Sequence, residues 1–401
     1  MKNSELPAIL GGTPIREKKI FYGHQCIEED DIEAVVKVLK SDTLTCGPAI
    51  PSLERALCAL TGARYCVAVS NGTAALHIAC LAAGIGPGDE VITTPMTFAA
   101  SANCALYCGA RPVFADINPD TYNIDPDEIE SKITPRTKAV VAVDFTGQVV
   151  EVERIRAICE KHNLIFIEDA AHSIGSTYNG VPVGNLADMT TFSFHPVKTV
   201  TGGEGGAVMT NDPKLYEKLS LFRTHGITRD QSLMDKESEG GWYYQMVDLG
   251  YNYRITDFQA ALIESQLRKI ERFKNRRKQI VARYNQAFAD REEIFVQKEI
   301  PQSDTTRHLY IVQLKLNKLK AGRKEIFDAL ACENVQCNVH YIPIYTFPYY
   351  RKLGYGPGLC PKAEAAYEGF LSIPLYPAMT DEDVEDVIRA FYKVLDWYKI
   401  Q

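Results

Sequence analysis

From about residue 65 onward the chain alternates short apolar runs with amphipathic segments, and this alternation restricts the fold more than any other feature. Apolar runs at 66–69, 90–94, 112–115, 139–143 and 164–168 have strand length. Segments 73–83, 98–107 and 152–161 read as helices, the last with Val152, Ile155 and Ile158 on one face. Strands that are apolar on both sides and separated by helices predict a mostly parallel sheet covered on both faces. The fold class is therefore α/β. Two more β-like runs, 190–194 and 206–210, bracket a turn rich in Pro and Gly.

Elsewhere the pattern differs. Residues up to about 20 read as an extended lead-in, and helices follow at 29–40 and around Leu53, Leu57 and Leu60. Past residue 228 the stretch 229–241 is polar and ends in two glycines, the composition of a mobile loop. One long charged helix is expected over 257–289, linking two domains, then a strand at 309–316, a helix at 324–332 and a strand at 335–339. Thr380 with Asp383 reads as a capping box for a last helix whose Val384, Val387, Ile388 and Phe391 share a face. A length of 401 residues suits two domains, placed at 1–256 and 257–401, the second a smaller α+β unit.

Charge excludes some partners. The chain has 44 basic and 51 acidic residues, a net charge of −7, which offers nothing to nucleic acid or an anionic membrane. No segment has the apolar core of a signal peptide or the length of a membrane span. The 11 cysteines are scattered, without a C-x-x-C pair, which reads as free thiols in a cytoplasmic protein and not as a metal site.

The chemistry concentrates at the turn between the last two β runs, T-T-F-S-F-H-P-V-K-T-V-T-G-G-E-G-G. Its one lysine, Lys198, stands among apolar, hydroxyl and glycine residues instead of charges. Such a lysine suits a Schiff base with an aldehyde cofactor; the alternative is a solvated loop lysine. Three other places fit a phosphorylated, flat, cationic ring. Ser70-Asn71-Gly72-Thr73 joins a strand to a helix, where backbone N–H groups and the Thr73 hydroxyl form an anion site, or merely an Asn-Gly turn with an N-cap. Phe98 lies just past a strand and suits ring stacking, though a core position is the commoner use. Asp169 ends a buried strand, where a carboxylate calls for a cationic partner such as a protonated pyridine, or else caps a following helix. His172 is three residues on, and Ser193 sits five before Lys198. All lie at the carboxyl ends of strands, where open α/β sheets bind ligands.

S-N-G-T-A-A-L, D-A-A-H-S-I-G-S, F-S-F-H-P-V-K followed by G-E-G-G, and G-Y-N-Y-R resemble the motifs of the DegT–StrS family, in the same order along nearly the whole chain. These are pyridoxal-phosphate (PLP) sugar aminotransferases of the aspartate aminotransferase fold (fold type I). The resemblance implies that Lys198 carries the cofactor and Asp169 faces its pyridine nitrogen. Phe98 and His172 would lie against the ring, with Gly72, Thr73 and Ser193 at the phosphate. Asn252 would reach the phosphate from a neighbouring subunit, which implies a homodimer with shared sites. Three more segments resemble the branch of the family that serves pseudaminic acid synthesis. They place Tyr22, the loop Asp42, Thr43, Leu44 and Thr45, and His340, Tyr341, Ile342 and Pro343 at the substrate. The sequence departs from that branch at Gly72, where the branch has alanine, and at Ile342, where it has lysine. L-Glutamate and a UDP-linked 4-keto-6-deoxy-N-acetylhexosamine are the implied substrates. Arg229 and Arg254 are candidates for the nucleotide, and His195 is given no catalytic role.

Overall fold

A computed structural model describes residues 6–400, so the first five residues of the lead-in lie outside the described part. The amino-terminal helices are α1 (Glu29–Leu39) and α2 (Ala49–Thr61). The alternating region gives β1 (Tyr65–Val69), α3 (Gly72–Ala82), β2 (Glu90–Thr93), α4 (Ala100–Tyr107), β3 (Arg111–Phe114), β4 (Thr137–Val143), α5 (Val152–His162) and β5 (Ile165–Asp169). Then come β6 (Met189–Ser193), β7 (Gly206–Thr210) and α6 (Pro213–Arg223). The strands form one seven-stranded sheet in the order β1-β7-β6-β5-β4-β2-β3. Every pairing is parallel except those of β7, which runs antiparallel to both neighbours.

Alternation along β4 shows why the sheet needs cover on both sides. Ala139 and Val141 join the apolar cluster with α3, α4 and α6. Val140 and Ala142 join the opposite one, with α2 and α5. Both clusters are sealed from water, so each strand is held by side chains on two faces.

The expected single helix over 257–289 is two, α7 (Asp257–Leu267) and α8 (Ile270–Phe288). Lys269 at the break is buried and turns its ammonium to Asp30 at 2.6 Å and Asp31 at 2.7 Å, both on α1. Ser265 and Gln266 donate to the same Asp31. α7 thus packs with the large sheet through Ala260 and Ile263, while α8 enters a second cluster. That cluster holds the antiparallel sheet β8 (Ile294–Val296), β9 (Tyr310–Leu314) and β10 (Phe370–Ile373), in the order β8-β9-β10. It is completed by α9 (Arg323–Cys332) and α10 (Asp381–Tyr398). The capping box of α10 is formed: Asp383 N–H donates to Thr380 Oγ1 at 3.1 Å and Thr380 N–H to Asp383 Oδ2 at 2.9 Å. The strand expected at 335–339 shrinks to Val335–Gln336, paired in parallel with Ile20–Phe21 of the lead-in. Among the described residues, no helix is long and apolar enough to cross a membrane.

Candidate active site

A cavity of about 1160 Å³ opens at the carboxyl ends of β1, β5 and β6. Sheet geometry explains its position: parallel strands deliver successive turns to one edge, and the helices that follow start there. Lys198 is on its wall, in the turn after β6. That turn is closed by its own backbone. Phe194 N–H donates to Gly205 C=O at 2.8 Å, Gly202 N–H to Phe194 C=O at 2.9 Å, and Lys198 N–H to His195 C=O at 2.9 Å. Lys198 is half-buried. Burial pulls its pKa down to about 8, against the opposing charge of Asp169.

Asp169 ends β5 with 4% exposure. Ser101 Oγ donates to its Oδ2 at 2.6 Å and Ala171 N–H to its Oδ1 at 3.2 Å. No helix begins after it, so its carboxylate is not a helix cap. Burial raises its pKa, and the Ser101 hydroxyl, the Ala171 N–H and the Lys198 charge resist that rise. The result is a carboxylate held in one orientation on a dry wall.

The turn read as an anion site is an N-capped helix start. Asn71 caps α3 by accepting the Ala74 N–H at 2.8 Å, and Gly72 and Thr73 open the helix into the cavity. A Cβ at Gly72 would lie 2.8 Å from Ser193 Cβ, so glycine is what lets β6 and the helix start converge there. The turn leaves backbone donors of α3 free to bind an anion.

Phe98 precedes α4 and is 62% exposed, with its ring toward the cavity 6.4 Å from Tyr341. His172 is buried, and its Nε2 meets the Tyr341 hydroxyl at 3.2 Å. Its Nδ1 has no partner among the described residues, and burial holds its pKa well below the usual imidazole value. His308 lies beside it, tilted at 43° with 4.6 Å between ring centroids. Tyr22 and His340 face each other at 5.0 Å, and His340 is fixed by Ser372 Oγ at 2.7 Å. Burial brings the His340 pKa down to about 3, so this wall is neutral. Ile342 completes it.

Several expected residues are elsewhere. Pro343 turns away from the cavity, its C=O accepting the Thr346 N–H at 2.9 Å. Asp42, Thr43, Leu44, Thr45 and Asn252 are exposed and outside the cavity of this chain. Thr45 bridges to Thr256 and Asn252 to Thr224. Sequence reading missed Ser101 and His308. Ser101 sits one turn after Phe98 on the helix that starts there, a spacing that could have suggested it. His308 comes from the loop just before β9, and no local pattern marks it.

The comparisons with known proteins agree with this geometry. Residues 25–392 match the model of the DegT/DnrJ/EryC1/StrS aminotransferase family. The spore coat polysaccharide biosynthesis protein SpsC of Bacillus subtilis is 40% identical over 92% of this chain and 95% of its own. The UDP-4-amino-4,6-dideoxy-N-acetyl-beta-L-altrosamine transaminase of Campylobacter jejuni strain 81-176 is 37% identical over 95% of this chain and 98% of its own. A Streptococcus pneumoniae protein solved in its PMP form superposes with a TM-score of 0.88 at 33% identity, covering 94% of this chain and 99% of that one. The chain belongs to the DegT/DnrJ/EryC1/StrS aminotransferase family, has the fold-type-I architecture of PLP-dependent aminotransferases, and is a PLP-dependent sugar aminotransferase.

Proposed function

For this member of the family, we propose transfer of the amino group of L-glutamate to the C4 ketone of a UDP-linked 4-keto-6-deoxy-N-acetylhexosamine. The product is UDP-4-amino-4,6-dideoxy-N-acetyl-β-L-altrosamine, destined for pseudaminic acid. The observation that carries this reading is the Lys198 amine, lowered toward neutrality, in one cavity with a buried, oriented Asp169. The sugar rests on the name of the Campylobacter relative. SpsC favours a second reading, amination of another UDP- or dTDP-linked keto sugar for a different polysaccharide.

The residues present fit PLP: His172 lines the cavity with an Nδ1 that has no partner among the described residues, and the gap at Gly72 is one that a Cβ would close. Lys198 would hold its aldehyde carbon, Asp169 its pyridine nitrogen, Phe98 and His172 its two faces, and Gly72, Thr73 and Ser193 its phosphate. When bound, PLP supplies an electron sink that makes the α-hydrogen of the amino donor acidic. Lys198 takes that proton as its neutral amine and returns it to the neighbouring carbon, and in the second half-reaction it moves a proton the opposite way. Asp169 would hold a proton on the ring nitrogen, its charged form supported against burial by the Ser101 hydroxyl. Phe98, Tyr341 and Ile342 give the cavity an apolar wall. Tyr22, His340 and Tyr341 offer ring faces and polar atoms to the sugar.

We further propose a homodimer with shared sites. Lys198 is the only lysine or arginine among the described residues lining the cavity, whereas a nucleotide diphosphate and a dicarboxylate both need cations or donors. Asn252 and the loop Asp42–Thr45 are exposed and would meet the second copy's site, with Arg229 and Arg254 as candidate cations. A cytoplasmic location suits the 11 thiols, all of which are free. The test is turnover of several UDP- and dTDP-linked 4-keto sugars with L-glutamate. Preference for the UDP-N-acetyl sugar supports the first reading, and preference for another selects the second.

A further inference from the structure

Two carboxyl groups with no part in this chemistry lie directly behind the cofactor-facing turn. Glu168 and Asp169 are consecutive on β5, so their side chains leave opposite faces of the sheet. Asp169 faces the cavity and Glu168 faces away from it. In the parallel pairing of β4 with β5, Glu168 stands opposite Ala142, so Asp144 follows on the same face. Both carboxyls have 0% exposure, and they are within hydrogen-bond reach of each other.

Counting donors decides what they are. Asp144 Oδ1 accepts the Val150 N–H at 3.0 Å, and Oδ2 accepts the Ser173 hydroxyl at 2.5 Å. Glu168 Oε2 accepts the Thr190 hydroxyl at 2.8 Å. Glu168 Oε1 is buried and has no well-formed hydrogen bond among the described residues, and the one further donor directed at this carboxyl is the Gly184 backbone N–H. The guanidinium whose field reaches Glu168 is Arg156, and it donates to Leu186 C=O. Two bare carboxylates touching in this setting would be strongly unfavourable, whereas one proton between them removes a charge and supplies the missing donor. Burial drives both acids toward the protonated form, and the Glu168 charge drives Asp144 further.

We propose that Asp144 and Glu168 share one proton at neutral pH and act as a positioning pair for the segment that carries Asp169 and His172. The proposal rests on the reading of those two residues as cofactor contacts. The pair is tied to that segment at both ends. Asp144 N–H donates to Asp169 C=O at 3.1 Å, and the Ser173 that binds Asp144 is next in sequence to His172. Glu168 is also the residue before Asp169, so its anchorage to Thr190 fixes where the strand ends. Sharing the proton leaves a single negative charge behind the cofactor-facing carboxylate instead of two.

The test uses the PLP-loaded holoenzyme and the variants Glu168→Gln, Asp144→Asn and Glu168→Ala. Infrared spectra at neutral pH should show the C=O stretch of a buried protonated carboxyl. It should be absent in Glu168→Gln and in Asp144→Asn, since either amide supplies the hydrogen and leaves the other acid ionised. Glu168→Gln should keep kcat close to that of the unaltered protein. Glu168→Ala should lower kcat on the order of 10²-fold with little change in KM for L-glutamate, as misplacement of reacting groups does. No protonated-carboxyl band, a Glu168→Gln enzyme as slow as Glu168→Ala, or a Glu168→Ala enzyme as fast as the parent would each overturn the proposal. Should Glu168→Ala fail to fold, the infrared spectra and the two amide variants decide alone. If the unaltered protein takes up no PLP, the reading of the site fails instead, and the infrared result still answers whether the proton is shared.

Discussion

Lys198 and Asp169 oppose each other: burial disfavours the ammonium, and the nearby carboxylate favours it. Burial is the larger effect, and it brings the pKa down to about 8. Only the neutral amine attacks an aldehyde, so the rate of PLP uptake by apoenzyme should rise with pH and level off above about 8. Stopped-flow absorbance checks this; a rise continuing toward the ordinary lysine value would contradict it. Because the Asp169 charge raises the Lys198 pKa, Asp169→Asn should move that midpoint to lower pH while reducing turnover by orders of magnitude. Ser101→Ala removes a hydrogen bond to a charged group, a contact of about 1.5–3 kcal/mol. It should lower kcat while the protein still binds PLP, measured by steady-state kinetics beside the absorbance of the bound cofactor. Lys198 and Asp169 were legible in the sequence because each breaks a local rule, a lysine among glycines and a carboxylate ending an apolar strand. Ser101 and His308 break none. Their meaning comes from neighbours distant in sequence, Asp169 for one and His172 for the other.

At the scale of elements, the start of α3 and the end of β6 are held together by the absence of a side chain at Gly72. Gly72→Ala would place a Cβ 2.8 Å from Ser193 Cβ, so one of the two must shift. Weaker PLP affinity with the fold retained is the expected result, read by equilibrium titration of apoenzyme. Thr380→Ala, which removes the cap of α10 far from the cavity, should cost about 1 kcal/mol of stability and leave kcat unchanged. Denaturant unfolding and kinetics measured together separate the two cases. The βα alternation and the capping box were readable because strand burial and helix capping are local patterns. The division of the charged helix was not, because residues 257–289 are continuous in helix-forming character. What ends α7 is Lys269 reaching the acidic residues of α1, a tertiary pull that no local window contains.

For the whole molecule, a cavity with Lys198 as its one lysine or arginine among the described lining residues, and an exposed Asn252, fit the proposed site completed by a second chain. Mixing Lys198→Ala chains with Asn252→Ala chains should therefore restore activity that neither has alone. Random pairing would recover about one quarter of the sites. No recovery after verified exchange of subunits would mean that each chain works by itself. The central claim, a lysine-bound PLP that passes an amino group from glutamate to a keto sugar, has one direct measurement. The purified protein is given PLP and its absorption spectrum is recorded before and after L-glutamate, then after the UDP-linked 4-keto-6-deoxy-N-acetyl sugar. A yellow band that needs Lys198, bleaches with glutamate and returns with the sugar is the predicted result. A protein that develops no yellow band, or whose band is the same in Lys198→Ala, would contradict the account.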